Sequence, residues 1–497
     1  MKYDQLMVTP RVTADKAAAI IGVGAIMPDA LNAGRMWDNI LNKKYSIKEV
    51  PPGRWSVDDY YDPDPEVPDK TYCKIGAFVE GFEFDSIQYK IPPRVAGAMD
   101  AVQKWAIVAA HEALTDSGYI SRDFNREKTA VIFGNAMLEE SMIATNLRVN
   151  LPVFVNSLLM DPTFAGLPPE KRAGIIECLT RRINAVSPPI TEDTMPGELS
   201  NVIAGRVANV FNLRGANYTT DAACASSLAA VSAALAGLGR GEYDMVIAGG
   251  VDRSMSASTY IKFSKIGALS GEGSFPFDER ANGFVMGEGC ACFVLRRYSD
   301  ALRDNDRVYA VITSVGTSSD GKGKGTTAPN IDGQMLSLKR AYESSGIHPS
   351  TVDLIEAHGT STRVGDVVEL EAISKTMNGR SRSNPVSVTS IKSQIGHLKA
   401  AAGAAALLKV ALSLHHKVLP PSINFEKPNP NIDWDGCAVK VQTEKQEWKN
   451  GKQWPRRAGV SSFGFGGTNF HVVVQEAEGV DVLAKRSGMR FFRGKTG

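Results

Sequence analysis

The sequence predicts an α/β protein, because short apolar runs of strand length alternate along it with longer stretches whose apolar residues recur every three or four positions. A chain of 497 residues can bury a large core and hold more than one structural unit. Apolar residues at 43% and charged residues at 22% lie in the ordinary range for a folded globular chain. Glycine-rich strand–turn segments near 248–251 and 463–468, one in each half, hint at a duplicated fold.

The elements follow in order. The opening MKYDQLMVTPRVTADK (1–16) is too polar for a signal peptide and reads as an N-terminal extension. AAAIIGVGAI (17–26) is the first buried strand. The Pro/Asp/Tyr-rich stretch 51–69 reads as surface loop. Residues 98–118 carry helical apolar spacing and end on a glycine cap. TAVIFGNA (129–136) is a second buried strand, followed by an insertion over about 137–196 with weak strand signals. Within it, 168–185 reads as an amphipathic helix with a proline start. This insertion is expected to cover a pocket or build a subunit interface. From Tyr218 the order becomes strand, turn, small-residue helix and strand (YDMVIAGGVD). Three more short strands (VYAVITSVGTSSD, VDLIEAHGT, PVSVTSIKS) come with helices near 335–346 and 399–415. The final 477–497 stretch is basic and reads as a tail or linker.

Composition excludes several classes. Fifty-six basic residues nearly balance 54 acidic ones, so neither a nucleic-acid partner nor an acidic or basic field is implied. The six cysteines form no CxxC pair and the seven histidines show no ligand spacing, which argues against a metal site and a disulfide framework. No stretch approaches the roughly 20 apolar residues that span a bilayer, and the expected location is cytoplasmic and reducing.

Four segments hold chemistry-bearing residues. In TTDAACASSLAAVSAALAGL a β-prone segment runs into an Ala/Ser/Leu helix, which places Cys224 at the first helical turn. Unpaired N–H groups there favour a thiolate. His358, in LIEAHGTSTRVGD, follows a strand and enters a small-residue turn, where an imidazole can face a cleft. IKSQIGHLKAAAGAAALLK puts Lys392 and His397 around Gly396 at another strand–helix junction. GVSSFGFGGTNFHVVV has the glycines to bring backbone N–H groups against a ligand, as one donor of an oxyanion hole requires. That segment opens onto a strand rather than a helix, and GKGKGTTAPN (321–330) has the wrong spacing, so neither is a phosphate loop. Taken singly, each residue has an ordinary explanation: a small buried hydrophobe for Cys224, satisfied loop or cap histidines, and a solvated Lys392. One cysteine and two histidines at strand ends together make a covalent-catalysis site. The residues by themselves leave a cysteine hydrolase, an acyltransferase and a redox enzyme open.

DAACASS, PFDERANGFVMGEG, EAHGTSTRVGD, KSQIGHLKAAAGAA and FGFGGTNFHVVV, in this order, resemble the β-ketoacyl synthase family of condensing enzymes, and the likeness runs over about 17–476. The resemblance is nearest to ketosynthase domains of polyunsaturated-fatty-acid and iterative polyketide synthases. It implies a thiolase-like fold, with duplicated halves (17–300 and 301–476) in an αβαβα sandwich, and a homodimer. Cys224 is then expected to carry the acyl chain. His358 and His397 would assist decarboxylation of a malonyl extender, and Lys392 would organise the site in a charge network with Asp366 and Glu369. The N–H groups of Cys224 and Phe465 would form the oxyanion hole. Thr360 and Thr362 would meet a phosphopantetheine arm, and Phe465 would gate the acyl pocket. The implied partners are acyl carrier protein and acyl and malonyl thioesters, with no cofactor beyond the arm the carrier brings. The sequence departs from the modular polyketide pattern in two places. Cys224-Ala225-Ser226 replaces Cys-Ser-Ser, and DAVQKWA (100–106) replaces DPQQRLL, so interface details carry over less directly. The basic ending suggests a domain of a larger synthase. A thiolase-type transferase without decarboxylation fits the two histidines and Lys392 less well, and a chain-length partner would lack Cys224.

Overall fold

The computed structural model describes residues 14–478, apart from 323–324, 326–327, 378–379, 382 and 450–453. The expected extension and basic tail therefore lie almost wholly outside the described residues, as does part of 321–330.

Eleven strands are linked by hydrogen bonds in the main sheet system. In chain order they are β1 (Ala18–Ile26), β2 (Thr129–Gly134), β3 (Asn217–Thr220), β4 (Met245–Asp252), β5 (Gly289–Arg297) and β6 (Ala310–Ser319). They continue with β7 (Leu354–Glu356), β8 (Val386–Thr389), β9 (Val439–Val441), β10 (Arg457–Gly464) and β11 (Thr468–Gln475). Their spatial order is β9-β8-β7-β10-β11-β6-β1-β5-β4-β2-β3. Reading outward from the centre, β1-β5-β4-β2-β3 and β6-β11-β10-β7-β8 are the same five-strand pattern. Directions match as well. β1·β5, β5·β4, β6·β11 and β11·β10 are antiparallel, whereas β4·β2, β2·β3, β10·β7 and β7·β8 are parallel. The halves touch through the antiparallel register Ala18↔Ile312, Ala19↔Val311 and Ile20↔Ala310. The two glycine-rich segments noted in the sequence end β4 and β10, which are equivalent strands of this repeat.

The strands are apolar on both faces, as buried strands between helix layers must be. One face of each half (Ile20, Ile132, Ala248 and Phe293; Ile312, Val460 and Val472) joins a shared central core. That core holds the two small-residue helices Ser226–Gly239 and Ala402–His416. The opposite face of the first half packs on Trp105 and Ile107 of helix Ala101–Asp116 and on Ile203 and Val207 of helix Asn201–Val210. The opposite face of the second half packs on Leu338 of helix Ile331–Ser345 and Leu370 of helix Gly365–Thr376. The result is the αβαβα layering of a thiolase-like fold. The central helices are built of small residues because they approach closely: a Cβ on Gly403 would lie 2.6 Å from Leu228 Cγ.

The insertion departs from its expectation. Its weak strand signals belong to helices Glu140–Val149 and Leu151–Met160, with the expected third at Pro169–Val186. LPVFVNSLLM is apolar enough to read as a strand, but Pro152 in the first turn supplies a helical φ, and none of the described strands pairs with this segment. These helices leave Met142, Ile143, Val153, Phe154 and Met160 exposed, the last at 84%.

Candidate active site

Cys224 lies in a tight 3₁₀ turn, Ala223–Ala225, that runs from β3 directly into the central helix Ser226–Gly239, at the helix start the sequence implies. Ala223 there has φ 48°, a left-handed backbone that a non-glycine residue holds only when its surroundings over-determine it. They do so here. Asp221 Oδ1 accepts the Ala223 N–H (2.9 Å), and Ser226 Oγ accepts from Ala222 N (2.9 Å) while donating to Ala223 O (2.6 Å). Ser462 of β10 donates to Cys224 O at 2.7 Å.

The fold brings three reactive groups together: Cys224 Sγ and one nitrogen each of His358 and His397 lie within 4.8 Å of one another. The two imidazoles meet edge to face, with centroids 5.2 Å apart. Each is delivered by a strand end of the second half, His358 after β7 and His397 after β8, facing the Cys224 turn that follows β3 of the first.

Backbone contacts settle much of the electrostatics. Lys399 N–H donates to His397 Nδ1 at 3.0 Å, so the neutral ring carries its proton on Nε2. Burial, reinforced by the Lys392 ammonium, holds both histidines well below the ordinary imidazole range, and they are neutral. The sulfur differs from the sequence expectation. Burial raises the thiol to about 11, although the Phe465 backbone N–H bonded to it and the Lys392 charge both pull it down. The resting group is a thiol, because desolvation outweighs the helix-end field. The same three donors could in principle surround a divalent cation, but the buried ammonium of Lys392 opposes a second positive charge there.

Asp366 and Glu369 lie one helical turn apart on helix Gly365–Thr376. Glu369 accepts both the His358 and Gly359 N–H groups (2.6 and 2.7 Å). Asp366 accepts from Phe277 N and Ser361 N (2.7 and 3.0 Å). Burial keeps both carboxyls above the ordinary range, Asp366 at about 7. Lys392, 2% exposed, feels Glu356 more strongly than Glu369, so its main carboxylate neighbour is one the sequence reading does not single out. Thr360 and Thr362 face each other, hydroxyls 3.1 Å apart, on the half-buried loop after His358. Phe465 is 37% exposed and stacks on Phe263 at 6.2 Å.

Four further residues belong to this neighbourhood. Glu356 and Lys409 form a fully buried ion pair at 2.8 Å, and Glu356 also accepts from Ile391 N and Thr389 Oγ1. Lys399 pairs with Asp252 at 3.1 Å. The signal for the first pair is present in the sequence: a single charge inside the strand run LIEA and inside the helix run ALLKVAL has to be paired if those runs are buried.

These features define a condensing-type acyltransferase, with a cysteine thiol, two neutral imidazoles and a backbone donor on a thiolase-like scaffold. The chain belongs to the β-ketoacyl synthase family. It matches the Beta-ketoacyl synthase N-terminal domain over 15–301, the corresponding C-terminal domain over 309–426, and the Ketoacyl-synthetase C-terminal extension over 428–490. It is 38% identical to a polyunsaturated fatty acid synthase chain of Thraustochytrium over 96% of this chain and 17% of that protein. It is 35% identical to polyketide synthase PksL of Bacillus subtilis, over 93% of this chain and 9% of that one. The chain thus spans a small part of these relatives. Among solved structures, the ketosynthase from module 6 of the Bacillus subtilis bacillaene synthase superposes with TM-score 0.78 at 33% identity, covering 93% of this chain and 72% of that one. An oxazolomycin ketosynthase domain from Streptomyces albus gives 0.79 at 29% identity, covering 93% and 74%.

Proposed function

We propose that this chain is the ketosynthase domain of a multidomain fatty acid or polyketide synthase, elongating carrier-bound acyl chains by decarboxylative Claisen condensation. The observation that carries the reading is the convergence of Cys224 Sγ with one nitrogen each of His358 and His397 within 4.8 Å. Cys224 attacks an acyl thioester delivered on a phosphopantetheine arm. The new C–S bond forms as the carrier's C–S bond breaks, and the thiol proton leaves with the carrier sulfur. His358, whose Nδ1 has no hydrogen-bond partner among the described residues, is placed to relay that proton. The N–H groups of Cys224 and Phe465 receive the tetrahedral oxyanion.

Malonyl carrier then takes the vacated arm site beside Thr360 and Thr362. Its carboxylate leaves as CO₂, and the electron pair forms an enolate whose oxygen accepts from the imidazole N–H groups. Neutral donors suit this step, since an imidazolium would protonate the carbanion. The carbanion attacks the Cys224 thioester, the C–C bond forms, and the sulfur departs and regains a proton. Phe465 gates the acyl pocket, and Lys392 keeps the histidines neutral.

The exposed apolar side chains of the 137–196 helices support a homodimer that covers them and shapes the pocket. No described helix is long and apolar enough to cross a membrane. The six free cysteines fit the cytoplasm. The test is intact mass after incubation with an acyl-carrier thioester, beside Cys224→Ala, followed by malonyl carrier. An adduct on the wild type alone, cleared to a β-ketoacyl product with CO₂ release, is expected. A folded wild type that takes no adduct across several chain lengths would overturn the reading.

A further inference from the structure

The repeat places a second turn opposite the nucleophile turn. The 3₁₀ turn Lys399–Ala401, which leads from β8 into helix Ala402–His416, is the counterpart of Ala223–Ala225. Its first residue has the same left-handed backbone, Lys399 at φ 49° beside Ala223 at φ 48°. The position equivalent to Cys224 is Ala400. The last residues of the equivalent strands β4 and β10 face the turns crosswise. Gly464 abuts the nucleophile turn so closely that a Cβ would meet Ala222 O at 2.4 Å. Asp252 abuts the second turn and accepts the Ala400 N–H at 3.3 Å. Where the first turn carries the nucleophile, the second carries a buried ion pair.

That pair closes a ring around His397. Gly287 N–H donates to His397 O (2.9 Å), Gly287 O accepts from Lys399 Nζ (2.6 Å), and Lys399 N–H donates to His397 Nδ1 (3.0 Å). Asp252 anchors the ammonium at 3.1 Å, with the Lys399 side chain 6% and the Asp252 side chain 0% exposed. A lysine gains nothing locally from a left-handed backbone; the buried pair supplies the compensation.

We propose that the Lys399–Asp252 ion pair is a positioning device for His397: it holds residue 399 left-handed, so that its N–H fixes the ring with Nε2–H facing the reacting carbons. This rests on the decarboxylation reading above. Neither residue touches substrate; both act through His397.

The test compares the wild type with Lys399→Met/Asp252→Asn, which removes both charges and leaves none unpaired. Acylation of Cys224 followed by mass spectrometry is expected to stay within about twofold. CO₂ release from malonyl carrier on the acylated enzyme is expected to lose at least tenfold in kcat, with KM unchanged within about twofold. ¹⁵N NMR of histidine-labelled protein is expected to show one Nε2-protonated tautomer of His397 in the wild type and a mixture in the variant. Should that double variant not fold, the more polar Lys399→Gln/Asp252→Asn, which also leaves no charge unpaired, carries the same comparison. Failure of the wild type to acylate would strike the functional reading, while the NMR arm, which needs no substrate, still decides the positioning claim. An unchanged tautomer, or equal losses in acylation and decarboxylation, would overturn it.

Discussion

Lys409→Met isolates the energetics of the charged core behind the active site. Lys409 and Glu356 are both 0% exposed and 2.8 Å apart. At an effective dielectric of about 20, unit charges at that distance attract by about 6 kcal/mol, most of which offsets the desolvation of the two ions. Removing one partner leaves the desolvation of the other uncompensated, and buried pairs broken this way lose about 3–5 kcal/mol. Glu356 keeps its bonds from Ile391 N and Thr389 Oγ1, each at 2.5 Å, which places the expected loss at the lower end of that range. With an unfolding entropy of about 2 cal/mol/K per residue, a chain of 497 residues drops about 1 °C per kcal/mol, so the variant is expected to melt about 3 °C lower. Glu356→Gln/Lys409→Met removes both charges of the pair; Lys392 loses Glu356 as a neighbour but keeps Glu369, so the double variant is expected to recover part of that loss. Thermal and urea unfolding of the wild type, both single variants and the double variant complete the cycle. If Lys409→Met costs under about 1 kcal/mol, or the double variant loses the sum of the singles, the pair is not coupled and the reasoning fails.

Further outcomes follow from the site. Cys224, raised to about 11 by burial, should alkylate with iodoacetamide at a rate that climbs about tenfold per pH unit below that value. Lys392→Met should push the thiol higher and slow alkylation at fixed pH; a faster reaction would contradict the assigned sign. As the folded thiol lies above its unfolded value, its stabilising contribution is complete below about pH 9 and disappears as pH rises towards 11. Gly134→Ala would set a Cβ 2.3 Å from the backbone of Ser226 and Ser227, so it should cost about 1–3 kcal/mol in urea unfolding and displace the nucleophile turn, abolishing the acyl adduct. Glu369→Gln presents an amide to one of two backbone N–H donors at His358 and Gly359. It should lower condensation kcat by about 10- to 100-fold, read by CO₂ release, while unchanged turnover would remove Glu369 from the positioning of His358.

Much of this protein is legible before any coordinates. The α/β class follows from alternating periods, since a strand buried on both faces and an amphipathic helix leave different apolar spacings. Cys224, His358, Lys392 and His397 stand out because each lies at a strand end among small residues, where a side chain reaches a cleft. The insertion gives strand signals yet folds as helix, because an apolar run carries little directional information until neighbours decide whether a sheet edge is open to it.

Tertiary structure alone decided the rest. The state of Cys224 is one case: its position promises a stabilised thiolate, but the desolvation that raises the thiol comes from both halves of the fold. The crosswise contacts are another, since Gly464 is 240 positions from Cys224 and Asp252 is 147 from Lys399 by the numbering. Sequence determines local geometry and which residue types are available, because those depend on neighbours three or four positions away. Which charges meet, and in what dielectric, depends on the pseudo-symmetric stacking of two sheets, and only the folded chain specifies that.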